Sequence, residues 1–204
     1  MAQQNPSITN IVHRIATRLE REVNDRLPRR VGVIAVKHFN QNFRDSGFRN
    51  NGLRPWPETR RQREGKGADR RRKPLISAAP HLSRSNQAIP MRGAVRITNP
   101  VPYARIHNEG GKFTTHPTVT KTMRKMAWAR VYAIAGVKKG KKLPKELPAE
   151  AQKWKALALT KKNKLSIRVN MPRRQFIGNS AELKQQIDKI IIDTLNRIKQ
   201  QAIR

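Results

Sequence analysis

Positive charge limits what this chain can fold into. Lys and Arg number 45 against 13 Asp and Glu, which leaves +32 at neutral pH with His uncharged. A surface this basic repels itself, and its expected counterpart is a polyanion or an acidic protein face. Over 204 residues the apolar fraction is 36% and the aromatic fraction 5%, so one compact core cannot take in every segment. Runs such as Val33-Ile34-Ala35-Val36 fall far short of the roughly 20 residues that span a bilayer, so no membrane partner is expected. Cysteine is absent, which removes disulfides, thiolate zinc sites and cysteine nucleophiles. The opening Met-Ala-Gln-Gln-Asn-Pro-Ser carries neither the basic nor the apolar region of a secretory signal, and assembly in a cytoplasm is expected.

Apolar periodicity places helices at both ends. Ile8, Ile11, Val12, Ile15, Leu19 and Val23 recur at spacings of three and four, with Pro6 and Ser7 at a helix start and Pro28 ending or bending the run. A second helix is expected over 30–43, where Val36, Phe39 and Phe43 share a face; a strand at 31–36 is the rival reading. Gly47 and Asn51-Gly52 mark the end of regular structure. Residues 44–92 are dense in Arg and sparse in apolar side chains, and read as an extended basic arm, mobile until a partner orders it. Two strands follow, Ala94 to Thr98 and Val101 to His107, closed by Gly110-Gly111. Helices are expected over 118–135 and 149–159, joined by a Gly- and Lys-rich loop. From Lys121 to Lys164 there are 14 Lys or Arg and two acids, Glu146 and Glu150, which marks 112–164 as a Lys-rich helical insertion. Leu165, Ile167 and Val169 alternate as the buried face of a strand. Asn179, with Glu182 three residues on, reads as the cap of a last helix whose stripe is Leu183, Ile187, Ile190, Ile191, Leu195 and Ile198. The expected fold is α+β and a single domain over 1–204. It has N-terminal helices, a small antiparallel β-sheet and a C-terminal amphipathic helix, with the arm and the insertion added.

The residues offer little to catalysis. His13, His38, His81, His107 and His116 show no HxxxH or HExxH spacing, and no carboxylate pair sits in an apolar frame that would shift a pKa. His107 with Glu109 is the one His–carboxylate neighbourhood, and it has no nucleophile beside it. Gly65-Lys66-Gly67 and the Gly136–Gly140 segment lack the P-loop pattern. No catalytic residue, cofactor or metal is expected. Two basic runs, Arg70-Arg71-Arg72-Lys73 and Lys138-Lys139-Gly140-Lys141-Lys142, are dense enough to bind phosphate and release counterions. No RNA- or DNA-reading motif accompanies them, and aromatics are few, so they point to nonspecific polyanion contact.

Several segments taken in order resemble a known family. These are Phe39-x3-Phe43, Arg54-Pro55-Trp56-Pro57 with Thr59 and Arg60, Pro74-Leu75-Ile76 and Leu82-Ser83-Arg84-Ser85. After them come Val101-Pro102-Tyr103-Ala104-Arg105-Ile106-His107-Asn108-Glu109-Gly110-Gly111 and Met171-Pro172-Arg173-Arg174-Gln175-Phe176-Ile177-Gly178, then the final helix. The pattern resembles the virion morphogenesis, or tail-completion, proteins of tailed bacteriophages (phage Mu G-protein-like). It covers about 1–111 and 164–204. The turn before Leu82 departs from the family's small acidic residue and Gly, reading Ser77-Ala78-Ala79-Pro80-His81.

The resemblance implies a non-enzymatic structural protein of the virion neck, assembled in the host cytoplasm. It would form a ring with copies of itself, meet portal or connector and tail proteins, and take genome DNA as a nonspecific second partner. The motif residues it implicates in assembly or fold are Trp56, Tyr103, His107, Gly110, Gly111, Arg173, Arg174, Phe176 and Gly178. On this reading Tyr103 offers a buried ring and hydroxyl, His107 hydrogen-bonds from a strand end, and Arg173 and Arg174 pair with an acidic neighbour; fold maintenance is the alternative for each. A nonspecific DNA- or RNA-binding protein is the alternative for the whole chain.

Overall fold

The computed structural model describes residues 8–65 and 67–203. Pro6 and Ser7, read above as a helix start, and Lys66 lie outside them. The fold is α+β, with nine α-helices and three two-stranded sheets among the described residues. It divides into two compact units, one of residues 1–111 and 171–204 and one of residues 112–170.

The first unit opens with α1 (Ile8–Arg21) and α2 (Leu27–Asp45), joined by a π-helical stretch, Glu22–Arg26. Pro28 explains the join. It has no N–H, and its ring would strike the carbonyl four residues back. The wider winding relieves both, with the Leu27 N–H reaching Glu22 O five residues back. The strand alternative at 31–36 is thereby excluded. Gly32 has a packing role: a Cβ there would stand 2.8 Å from Ala88 Cβ, so glycine lets the hairpin of residues 87–98 lie against α2. That hairpin pairs β3 (Gln87–Met91) with β4 (Ala94–Thr98) through a two-residue turn.

Three expectations fail here for physical reasons. The partner of β4 is β3, not a strand at 101–107; those residues turn at Pro102 and wind into α6 (Ala104–Glu109), where an Arg105–Glu109 ion pair of 3.0 Å sits at i, i+4. Residues 44–92 are not an arm throughout. Asn51 and Gly52, both at positive φ, turn a hairpin of β1 (Gly47–Arg49) and β2 (Leu53–Pro55), and Phe48, Trp56 and Leu82 from this stretch are buried. Short helices α3 (Arg60–Glu64), α4 (Gly67–Arg71) and α5 (His81–Arg84) and the strand β3 lie in the remainder, so the departing turn near Pro80 leads into a helix. The strand at the far end of the insertion, β6 (Ile167–Met171), belongs chiefly to the second unit, where it pairs with β5 (Gly111–Thr115). Its Ile167 is exposed, so the alternation there marks no fully buried face.

Two clusters form the core of the first unit. One gathers Phe43, Trp56, Leu82, Val101, Ala104 and Phe176; the other gathers Ala35, Phe39, Phe48 and Leu183. The last helix, α9 (Ala181–Ile203), packs on both α1 and α2. Its buried line runs through Leu183, Thr194 and Ile198, while Leu195 of the expected stripe is exposed. The stripe on α1 is likewise only half covered, with Ile8 and Val12 in solvent. The second unit is a helical pair, α7 (Lys121–Ile134) and α8 (Ala149–Leu159), close to the spans the sequence predicts. Its core is Val131, Leu147 and Ala151, with Trp128 and Trp154 packed on it.

The start of α9 is capped one residue later than expected. Ser180 Oγ accepts the Leu183 N–H at 3.2 Å, and Glu182 reaches away to accept the Gly52 N–H of the β1–β2 turn at 2.8 Å. That backbone hydrogen bond, with further N–H donors at the helix start, holds the Glu182 carboxyl at about 2 against its ordinary 4.5. A depressed carboxyl stabilises the fold above its unfolded pKa and loses that contribution as pH falls through the folded one. The stability advantage of the native protein over Glu182→Gln should therefore be full above pH 4.5 and fade toward pH 2, measured by urea unfolding at each pH.

Candidate functional site

The motif residues are spread over more than a hundred positions of sequence, yet most of them meet at one joint in the first unit. Segment 171–178 lies between the 54–58 strand end and helix α6, and hydrogen bonds tie it to both. Trp56 donates its Nε1–H to Gln175 O at 2.8 Å, and its ring meets Phe43 edge-on with centroids 5.5 Å apart. Phe43 in turn contacts Phe176 at 5.0 Å between centroids. On the other side Asn108 Oδ1 accepts the N–H groups of both Phe176 and Ile177, at 2.9 and 3.0 Å. Asn42 Nδ2 donates to Phe176 O at 3.1 Å, and its Oδ1 accepts the Arg49 N–H, carrying the same network into α2 and β1.

Arg174 sits at the centre and is 5% exposed. Its partners are not the acidic neighbour expected from sequence. The guanidinium donates to the carbonyls of Pro57 at 3.0 Å and Glu58 at 3.2 Å, and the Arg174 N–H donates to His107 O at 2.9 Å. Burial alone pushes its pKa down from the ordinary arginine value. Arg173 is exposed and bonds Gln175 Oε1. Gly110 is required by geometry: at φ +72° and ψ −167° it occupies backbone space that is essentially glycine's alone, and a Cβ would lie 2.7 Å from Arg173 N. Gly111 follows at the start of β5. Gly178 is crowded only by the flexible end of the Gln175 side chain.

Tyr103 and His107 differ from expectation. Tyr103 precedes α6 and is 45% exposed, so it is no buried ring. His107 lies within α6, with its ring edge-on to Tyr103 and centroids 5.8 Å apart. Its Nδ1 is buried without a hydrogen-bond partner among the described residues, and burial, then the charge of Arg174, lowers its pKa. Together with Thr59, Arg61, Tyr103 and Arg174 it lines a cavity of about 260 Å³. Arg61 braces the wall opposite, donating to the carbonyls of Arg72, Lys73 and Ile76. The side chains at this joint use their donors mainly on backbone carbonyls, and the arrangement fastens distant segments.

The polyanion candidates separate. Arg70 and Arg71 are exposed at the end of α4, and the Arg72 and Lys73 carbonyls hold Arg61. Lys73 itself donates to Arg44 O. Lys138, Lys139, Lys141 and Lys142 are all exposed in the second unit. Among the described residues no group of three or more His, Asp or Glu is placed to hold a metal ion, and no helix is long and apolar enough to cross a membrane.

Asn42, Asn108 and Arg61 do this work without having been singled out from sequence. Asn42 left a trace: it stands on the Phe39–Phe43 stripe, where a polar side chain needs a buried partner. Asn108 and Arg61 left none, because their acceptors and donors are backbone groups far along the chain. No protein-family model, curated protein or solved structure matches this chain.

The joint gives a direct test. Asn108→Ala should destabilise the protein by about 1–3 kcal/mol, because two backbone N–H groups lose their acceptor. Asn108→Asp, which keeps an acceptor oxygen for both, should stay within about 1 kcal/mol of the native protein in the same urea unfolding measurement.

Proposed function

We propose that this protein is a structural component of a tailed-phage virion neck. It completes the tail and joins it to the head as part of a ring of its own copies. One observation carries the reading: the segments that bear the family resemblance, 54–57, 101–111 and 171–178, converge on a single hydrogen-bonded joint around Arg174 and Phe176. Residues that recur together in a family pattern gain a common physical reason when they hold one another. In this role the joint is scaffold and the exposed surface does the joining. Ring contacts would draw on half-covered apolar faces such as that of α1, where Ile8 and Val12 are exposed, and on basic side chains that meet acidic faces of portal and tail proteins. The protein acts in the virion and contributes no reaction.

The test has two arms. Sedimentation velocity and negative-stain microscopy of the purified protein should give ring-shaped oligomers, and mass spectrometry should find the chain in purified virions. A protein that stays monomeric and is absent from particles would overturn the proposal.

A further inference from the structure

The two kinds of cation are sorted between the two units. Of 19 Lys, 13 lie in residues 112–170; of 26 Arg, 23 lie outside them. The acids are sorted as well, since only Glu146 and Glu150 of the 13 fall in the smaller unit. Both are exposed, and among the described residues no ion pair forms within 112–170. In the larger unit the pattern is opposite. Arg26, Arg30 and Arg197 share one carboxylate, and Arg49, Arg92 and Arg105 each have one.

The choice of residue says what each unit faces. A guanidinium is a rigid fork suited to a carboxylate or a phosphate in fixed geometry, whereas an ammonium on a flexible stem is a point charge that tolerates many approaches. Thirteen such charges suit a partner whose negative charge recurs along its length whatever its detail, and that is a phosphate backbone. Placement agrees. Exposed lysines occur on α7 at Lys121 and Lys125, on α8 at Lys153 and in the loop at Lys138 and Lys141, so no single pocket concentrates them. Trp128 and Trp154 are partly buried against the core, and Phe113 is the exposed aromatic of the unit among the described residues, which leaves few aromatic faces for unstacked bases and favours a duplex over a single strand.

We propose that residues 112–170 form a binding unit for the phosphate backbone of duplex nucleic acid, one that does not read sequence. The assignment stands or falls separately from the virion role. Binding replaces condensed counterions with lysine side chains, so affinity falls steeply as salt rises.

The experiment uses the full chain and duplexes of about 30 base pairs in two unrelated sequences, with fluorescence anisotropy across a NaCl series. Both sequences should bind alike. K138Q/K139Q/K141Q/K142Q should flatten the log–log salt slope by about 3–4, and K121Q/K125Q by about 2. A control in the larger unit, R14Q/R29Q/R54Q/R96Q, removes four exposed arginines and should move the slope by less than about 1. Circular dichroism of each variant checks that it is folded. Equal flattening by the arginine control would overturn the proposal. So would competition by poly-glutamate as effective as that by duplex of matched charge, which would assign the unit to an acidic protein.

Discussion

One carboxylate at the π-helical join of the N-terminal helices anchors the larger unit. Glu22 is 5% exposed in the π-helical stretch and faces Arg197 of α9 at 2.8 Å, Arg30 of α2 at 3.5 Å and Arg26 at 3.6 Å. Arg30 also donates to Thr194 Oγ1 of α9 at 2.8 Å. Three arginines on neighbouring turns and helices would repel one another in a half-buried setting, and the shared charge turns that repulsion into cohesion. The π-helical join that accommodates Pro28 begins at Glu22, so the backbone irregularity and the ion cluster share one place in the chain.

Acids are scarce in this chain, and most cations must find other acceptors or none. The larger unit solves this with backbone carbonyls. Arg174 and Arg61 both donate to main-chain oxygens, and Lys73 reaches Arg44 O. Such bonds satisfy the donors and stitch remote segments together, but they leave the charge uncompensated. The smaller unit takes the other course. Most of its lysines stay in solvent around a core of Val131, Leu147 and Ala151, and among the described residues no ion pair within the unit offsets their repulsion.

What could be read in the sequence follows from the range of the forces involved. Helices α7, α8 and α9 were legible because apolar spacing and local capping are written within a few residues. The stretch 101–107 was misread as a second strand after the turn at Asn99-Pro100, while Pro102 and the Arg105–Glu109 pair favour a turn and a helix. The arm at 44–92 was misjudged because three apolar residues, Phe48, Trp56 and Leu82, suffice when each falls into a core built elsewhere. At the joint the motif residues Trp56, Arg174 and Phe176 stood out by resemblance. Their roles did not: Arg174 was expected to seek a carboxylate and instead holds two carbonyls from residues 57 and 58. Glu22 showed in the sequence only its i, i+4 spacing to Arg26; its partners Arg30 and Arg197 come within reach through the π-helical join and the packing of α9.

A few placed carboxylates hold together an otherwise self-repelling set of helices. Urea unfolding of Glu22→Gln beside Glu20→Gln measures this most directly, since Glu20 makes only an exposed pair with Arg92 at 3.2 Å. Loss of the shared charge at Glu22 should cost about 1–3 kcal/mol, less than a fully buried pair because its arginines are partly exposed, whereas Glu20→Gln should cost under about 1 kcal/mol. Equal and small losses for the two variants would contradict the account.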